Sequence, residues 1–143
     1  MYRGYRAYSI TVCTAERREY FRDADLVALC RDALQTFSDA FRVYLYTFMP
    51  DHLHLLLVAH SADANLIRTI QRYKQRTAFA FTQQRHGMFW QKGYYDHILR
   101  EHEDIRVVAR YIADNPVRAG IVRDYRDYPF TGSLVGDVPS LVA

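Results

Sequence analysis

Arg42-Val43-Tyr44-Leu45-Tyr46-Thr47-Phe48-Met49, then Pro50-Asp51, then His52-Leu53-His54-Leu55-Leu56-Leu57-Val58-Ala59 is the stretch on which the fold turns. Both runs are rich in aromatic, β-branched and other apolar residues, and only a Pro-Asp pair separates them. Proline presets the backbone for a turn and aspartate tolerates one, so the spacing predicts two antiparallel strands joined in a hairpin. Such a hairpin needs further strands and helices to cover it.

Working outward, Ala7 to Thr14 (AYSITVCT) alternates as a strand does. Between Asp23 and Phe37, Leu26, Leu29, Cys30, Ala33, Leu34 and Phe37 recur at helical spacing behind a capping Asp23. After the hairpin, Asn65 to about Arg85 reads as a second helix, with Leu66, Ile67, Ile70, Tyr73, Thr77, Ala78 and Phe81 on its apolar side. A loop carrying Trp90 leads to a strand at Tyr94 to Arg100. Glu101 to about Asn115 forms a third helix, with Ile105, Val108 and Ile112 as its core stripe and Pro116 just beyond. Strand, helix, two strands, helix, strand and an extra helix is the order of an α+β ferredoxin-like domain: one antiparallel sheet with helices packed on it. Residues 1–128 make the single domain, and the residues from 129 to 143, with Pro129, Gly132, Gly136 and Pro139, have no period and are expected as an irregular tail.

At 143 residues, half of them hydrophobic and 15 % aromatic, the chain can bury one core and falls outside the disordered class. Cys13 and Cys30 lack metal-type spacing and read as buried thiols. No apolar run reaches membrane-span length, and Met1 to Ala7 leads into no signal-like segment, so the cytoplasm is the expected compartment.

His52 and His54 lie two apart on a strand and therefore point to one face. Two imidazoles inside an apolar run supply half of a coordination shell for a divalent ion; the plain alternative is a pair of polar residues on a half-exposed strand. The last helix offers Tyr111 and Asn115, one turn apart at the edge of its stripe: a phenol able to attack phosphorus once deprotonated, and an amide oxygen suited to a hard cation. With twelve tyrosines present, chemistry alone does not separate Tyr111 from Tyr73, Tyr94 or Tyr95. From Ala64 through Tyr95 there is no acidic residue, but there are Arg68, Arg72, Lys74, Arg76, Arg85 and Lys92, with Tyr73, Phe89, Trp90, Tyr94 and Tyr95 among or beside them. Cations for phosphates and aromatic faces for unpaired bases suit single-stranded nucleic acid; the alternative is a solvated basic helix over core aromatics.

Met49-Pro50-Asp51-His52-Leu53-His54, Phe89-Trp90-Gln91-Lys92-Gly93-Tyr94-Tyr95-Asp96-His97 and Tyr111-Ile112-Ala113-Asp114-Asn115-Pro116-Val117-Arg118-Ala119-Gly120, in this order, resemble the single-tyrosine HUH transposases, most closely the REP-associated tyrosine transposases. The resemblance runs from the first strand to about Val122. It implies that His52, His54 and Asn115 bind Mg²⁺ or Mn²⁺ and that Tyr111 is the nucleophile. It also implies cleavage and rejoining of single-stranded or hairpin DNA through a 5′-phosphotyrosine. Asn115 stands where many insertion-sequence relatives carry glutamine, which keeps the amide oxygen on a shorter stem. Arg68, Arg72, Lys74, Arg76, Arg85, Trp90 and Lys92 are the expected DNA contacts. A homodimer exchanging the tyrosine helix is the expected assembly, a monomer the alternative. The competing readings are a non-catalytic single-stranded nucleic-acid-binding domain and a metal-dependent hydrolase with water as nucleophile.

Overall fold

A computed structural model describes residues 6–143; the sequence reading of Met1 to Ala7 as leaderless falls mainly outside them. Among the described residues, strands β1 (Ala7–Cys13), β2 (Phe41–Met49), β3 (His52–Ala59), β4 (Tyr95–Ile98) and β5 (Thr131–Gly132) form an antiparallel sheet in the order β4-β1-β3-β2-β5. This is the ferredoxin-like arrangement with a short fifth strand added at the β2 edge. The β2–β3 hairpin follows the sequence reading closely, with His52 paired to Met49 and His54 to Thr47.

Helices α1 (Ala24–Asp32) and α2 (Leu66–Thr82) cover one face. Asp23 and Asn65 cap them, accepting from the backbone N–H of Asp25 and Arg68. Beneath them Ile10, Val12, Val43, Phe48, Leu53, Leu55 and Leu57 share a core with Phe21, Phe37, Tyr73 and Phe81. Each such side chain contributes about 1.5–3 kcal/mol when fully buried. Ile67, placed on the apolar side of α2 by its spacing, is 60 % exposed. The helix from Asp23 tightens at Ala33–Phe37 into a 3-10 turn.

The opposite face carries α3 (Ile105–Ala113), which buries Ala109, Ile112 and Ala113 against Ala7, Leu45, Leu56 and Val58. The expected third helix is interrupted. Asp114 (φ −81°, ψ 0°) ends α3, and α4 (Asn115–Arg118) restarts with Pro116 in its first turn, where the missing N–H needs no partner. The segment after Tyr128 wraps the domain: Thr131–Gly132 pairs with β2, α5 (Val138–Leu141) follows, and Val142 is buried with the α3 cluster. No helix among the described residues is long and apolar enough to cross a membrane.

One connection is strained. Glu16 and Arg17, just after β1, both hold φ of 54° without being glycine, at a cost of about 1–2 kcal/mol each.

Candidate active site

Directly paired residues of antiparallel strands share a face. The register therefore places His52 and His54 beside Cys13 and Thr11 of β1, Met49 and Thr47 of β2, and, through Thr11, Tyr95 of β4. This is the face that α3 covers, and α3 stops short of its histidine end. Because α3 breaks at Asp114, the Asn115 side chain starts a new helix and reaches the sheet: its Nδ2 lies 3.5 Å from His52 Nε2. The amide oxygen and nitrogen exchange places by a half-turn of the side chain, so the same position can present either to the imidazole.

Asp51 holds one imidazole and Ser9 the other. Asp51 Oδ1 lies 2.8 Å from His52 Nδ1. An ionised carboxylate only accepts, so Nδ1–H donates and the Nε2 lone pair is left facing Asn115. Burial alone would raise the Asp51 carboxyl, but hydrogen bonds from Arg17 and His52 hold it below the usual carboxylate range. His54 Nε2 lies 3.2 Å from the Ser9 hydroxyl. Its Nδ1 is the single buried side-chain nitrogen or oxygen without a hydrogen-bond partner among the described residues. Burial, followed by the charges of His52 and Arg118, pushes the His54 imidazole down to about 4. The ring is therefore neutral at physiological pH, as a ligand must be. The ring centroids of His52 and His54 are 6.3 Å apart.

The unpartnered Nδ1 of His54 and the Nε2 of His52, set beside an amide on one sheet face, fit a divalent cation. No cluster of three or more His, Cys, Asp or Glu side chains suited to a metal occurs among the described residues. A protein donor set of three at this point would have to include Asn115.

Tyr111 is 62 % exposed on α3. The Arg118 guanidinium stacks on its ring, 3.7 Å from the centroid, and Arg118 Nη1 donates to the Tyr111 carbonyl at 2.7 Å. Among the described residues no hydrogen bond joins the phenol to either imidazole. The charge of Arg118 also disfavours a proton on His54, after burial and His52.

The expected DNA contacts divide. Trp90 is not available to a base: it is 5 % exposed, and its indole N–H donates to Thr77 Oγ1 at 2.8 Å within the core under α2. Tyr73 and Phe89 are buried beside it. Half-buried Lys74 donates to the carbonyls of Gln91 and Gly93, and so holds the loop before β4. Arg76 donates to Thr36 Oγ1 and Arg85 is paired with Asp23. Arg68, Arg72 and Lys92 are exposed. The α2 arginines belong to the layer opposite the histidines, whereas Lys92 and Tyr95 line a small pocket with Cys13 at the histidine end of β1. Sequence reasoning missed Ser9, Asp51 and Arg118 as neighbours of the site. Asp51 was legible as the residue preceding His52 in the turn; Ser9 becomes visible only once the strand register is known.

A family model described as Transposase IS200 like matches residues 5–115. The chain belongs to the IS200-like transposase family. It is 30 % identical over 102 residues to a protein of Haemophilus influenzae named as a REP-associated tyrosine transposase, covering 64 % of this chain and 58 % of that one. It is 25 % identical over 91 residues to a REP-associated tyrosine transposase of Escherichia coli, covering 64 % and 53 %. The chain thus spans about half the length of the curated relatives it matches. In fold it is similar to a REP-associated tyrosine transposase solved with a REP hairpin, with a TM-score of 0.76 over 87 % of this chain and 74 % of that one at 24 % identity. It is also similar to a Deinococcus radiodurans protein described as a transposase, with a TM-score of 0.52 at 25 % identity, covering 76 % and 88 %.

Proposed function

We propose that this member of the IS200-like family cleaves and rejoins single-stranded DNA, with Tyr111 as the nucleophile and a divalent cation, Mg²⁺ or Mn²⁺, held by His52, His54 and Asn115. The observation that carries the reading is the buried, unpartnered Nδ1 of His54 on the same sheet face as the His52 Nε2 that Asn115 meets. A bound cation would supply Lewis-acid polarisation of the scissile phosphate.

The protein's own contribution follows from where its groups lie. Ser9 and Asp51 hold the imidazoles, leaving His54 Nδ1 unpartnered and His52 Nε2 facing Asn115. The exposed Tyr111 phenol is open to a strand arriving from solvent. Its oxygen gives up its proton and attacks phosphorus, the 3′-oxygen departs and ends as a hydroxyl, and a 5′-phosphotyrosine forms. The energy of the broken phosphodiester stays in the new bond, so a 3′-hydroxyl can attack it and rejoin the strands. Hairpin DNA is the proposed substrate class, the relative solved with a REP hairpin being similar in fold. The Asn115–His52 contact lies within one chain and supports a donor set completed in cis.

A labelled hairpin oligonucleotide incubated with Mn²⁺ or with chelator, and resolved on a denaturing protein gel, tests the reading. A metal-dependent covalent adduct is expected, lost in Tyr111→Phe while hairpin binding is retained. Adduct persisting in that variant removes Tyr111 from the role. Nicked DNA with no protein attached makes water the nucleophile, and salt-sensitive binding without cleavage makes the chain a binding domain.

A further inference from the structure

The strained connection after β1 is held in place from several sides. Thr14 donates its backbone N–H to the Asp51 carbonyl at 3.0 Å, and its hydroxyl lies 3.0 Å from the same carbonyl and 2.6 Å from that of Arg18. Ala15 N–H donates to the Phe89 carbonyl at 2.9 Å and Phe21 N–H to that of Pro50 at 3.0 Å. Within this frame Glu16 and Arg17 adopt the left-handed region, at φ of 54° each, that glycine would enter freely. Strain of this kind persists only where the surroundings over-determine it, and it gathers at functional sites.

The conformation aims Arg17 at the β2–β3 turn. Its Nε donates to Asp51 Oδ2 at 3.0 Å, and Nη1 lies 3.5 Å from Cys13 Sγ. The Asp51 carboxylate is thereby divided: Oδ2 is held by Arg17, while Oδ1 accepts from His52 Nδ1. The Arg17 side chain is 54 % exposed, and a surface ion pair of this sort adds little to stability. Two strained residues for a weak pair is a poor exchange unless the pair does something else. What it does geometrically is stop the carboxylate from turning, which keeps Oδ1 on Nδ1–H and the Nε2 lone pair toward Asn115.

We propose that Arg17 is a positioning residue for His52: acting through Asp51, it fixes the tautomer and orientation in which His52 Nε2 faces the cation site. The consequence for metal uptake rests on the function proposed above; the tautomer itself does not. Removing a cation beside a divalent metal site should tighten binding by simple Coulomb attraction. A positioning role has the opposite sign, and a purely structural role predicts lower stability with metal affinity unchanged or improved.

The test uses the full chain with Arg17→Ala, Arg17→Lys and Arg17→Gly. Nitrogen-15 NMR of metal-free protein reads the His52 tautomer, calorimetric titration with Mn²⁺ reads affinity, and thermal melting reads stability. Expected are a mixed tautomer in Arg17→Ala, Mn²⁺ affinity weakened by about tenfold, and partial recovery in Arg17→Lys. Arg17→Gly, which relieves the backbone, should melt higher than Arg17→Ala while binding Mn²⁺ as poorly. An Arg17→Ala protein that keeps the Nδ1–H tautomer overturns the proposal, as does one that binds Mn²⁺ as tightly as wild type does. If wild type itself takes up no Mn²⁺, the metal reading fails, and the tautomer comparison still decides whether Arg17 positions His52.

Discussion

The guanidinium carbon of Arg118 lies over the ring of Tyr111, 3.7 Å from its centroid, and the same side chain donates to the Tyr111 carbonyl. One residue of α4 thus grips both the backbone and the side chain of a residue on α3, across the break at Asp114. The stack is exposed and contributes about 0.5–1 kcal/mol to stability, too little to explain the geometry by stability alone. With Tyr111 as nucleophile, the stack sets where the phenol points, and removing it lets the ring swing through its rotamers. Arg118→Ala should therefore lower the single-turnover rate of adduct formation by about tenfold or more, the scale expected when a reacting group loses its orientation. Hairpin affinity should fall less, and Arg118→Lys should restore part of the rate. Equal losses in rate and affinity would make Arg118 a DNA contact rather than an orienting group.

His54 gives a prediction in pH. Its imidazole is held at about 4 by burial and by the neighbouring charges of His52 and Arg118, against an ordinary value of 6.5. Between those values the unfolded chain binds a proton that the folded chain does not. Acidification from pH 6.5 to pH 4 therefore drains stability, by on the order of 3 kcal/mol from this group, and the loss stops below the folded value. Urea unfolding of metal-free protein over this range should show the decline, and His54→Gln should flatten it by a comparable amount. Identical pH profiles for the two proteins would mean that His54 is not held neutral.

Trp90 separates packing from recognition. The residue sits in a basic stretch, yet its ring is enclosed with Phe21, Tyr73 and Phe89 and bonded to Thr77. Trp90→Ala should cost about 3–5 kcal/mol of stability. Trp90→Phe, leaving Thr77 without its donor, should cost about 1–3 kcal/mol. A base stacked on the ring would be worth about 1–3 kcal/mol, so a hairpin affinity of folded Trp90→Phe equal to that of wild type supports the core role. A clear loss of affinity without a fall in melting temperature would return Trp90 to the DNA surface.

These residues also show how far the chain could be read before its structure. Local signals were sufficient for the β2–β3 hairpin, because Pro50-Asp51 punctuates two apolar runs, and for the caps at Asp23 and Asn65, because a short polar side chain precedes each helical period. The shared face of His52 and His54 followed from strand alternation. Composition could not assign layers. In Ala64 to Tyr95, basic and aromatic residues are neighbours in sequence, but on α2 they separate radially, with Arg68 and Arg72 outward and Tyr73 and Thr77 inward. That helix covers the sheet face opposite the histidines, which only the topology reveals. The break at Asp114 escaped for a related reason. Pro116 was read as a stop after a helix, whereas it serves equally well in the first turn of a new one.

That break is what makes Asn115 testable as a ligand. On an uninterrupted helix Asn115 would follow Tyr111 by one turn; as the first residue of α4 it instead meets His52 Nε2 at 3.5 Å with a short side chain. Its contact with the imidazole is at the outer limit of a hydrogen bond and adds little to folding. Asn115→Ala should therefore leave the melting temperature nearly unchanged while weakening Mn²⁺ binding by about tenfold or more, since one of the protein donors is gone. Asn115→Asp keeps the length and adds a charge, so it should bind Mn²⁺ at least as tightly as wild type. Asn115→Gln, one methylene longer, carries the amide past the position that Asn115 now occupies and should recover less than Asn115→Asp does. A Mn²⁺ affinity in Asn115→Ala equal to that of wild type would leave His52 and His54 as the only protein ligands and place the remaining donors on DNA or water.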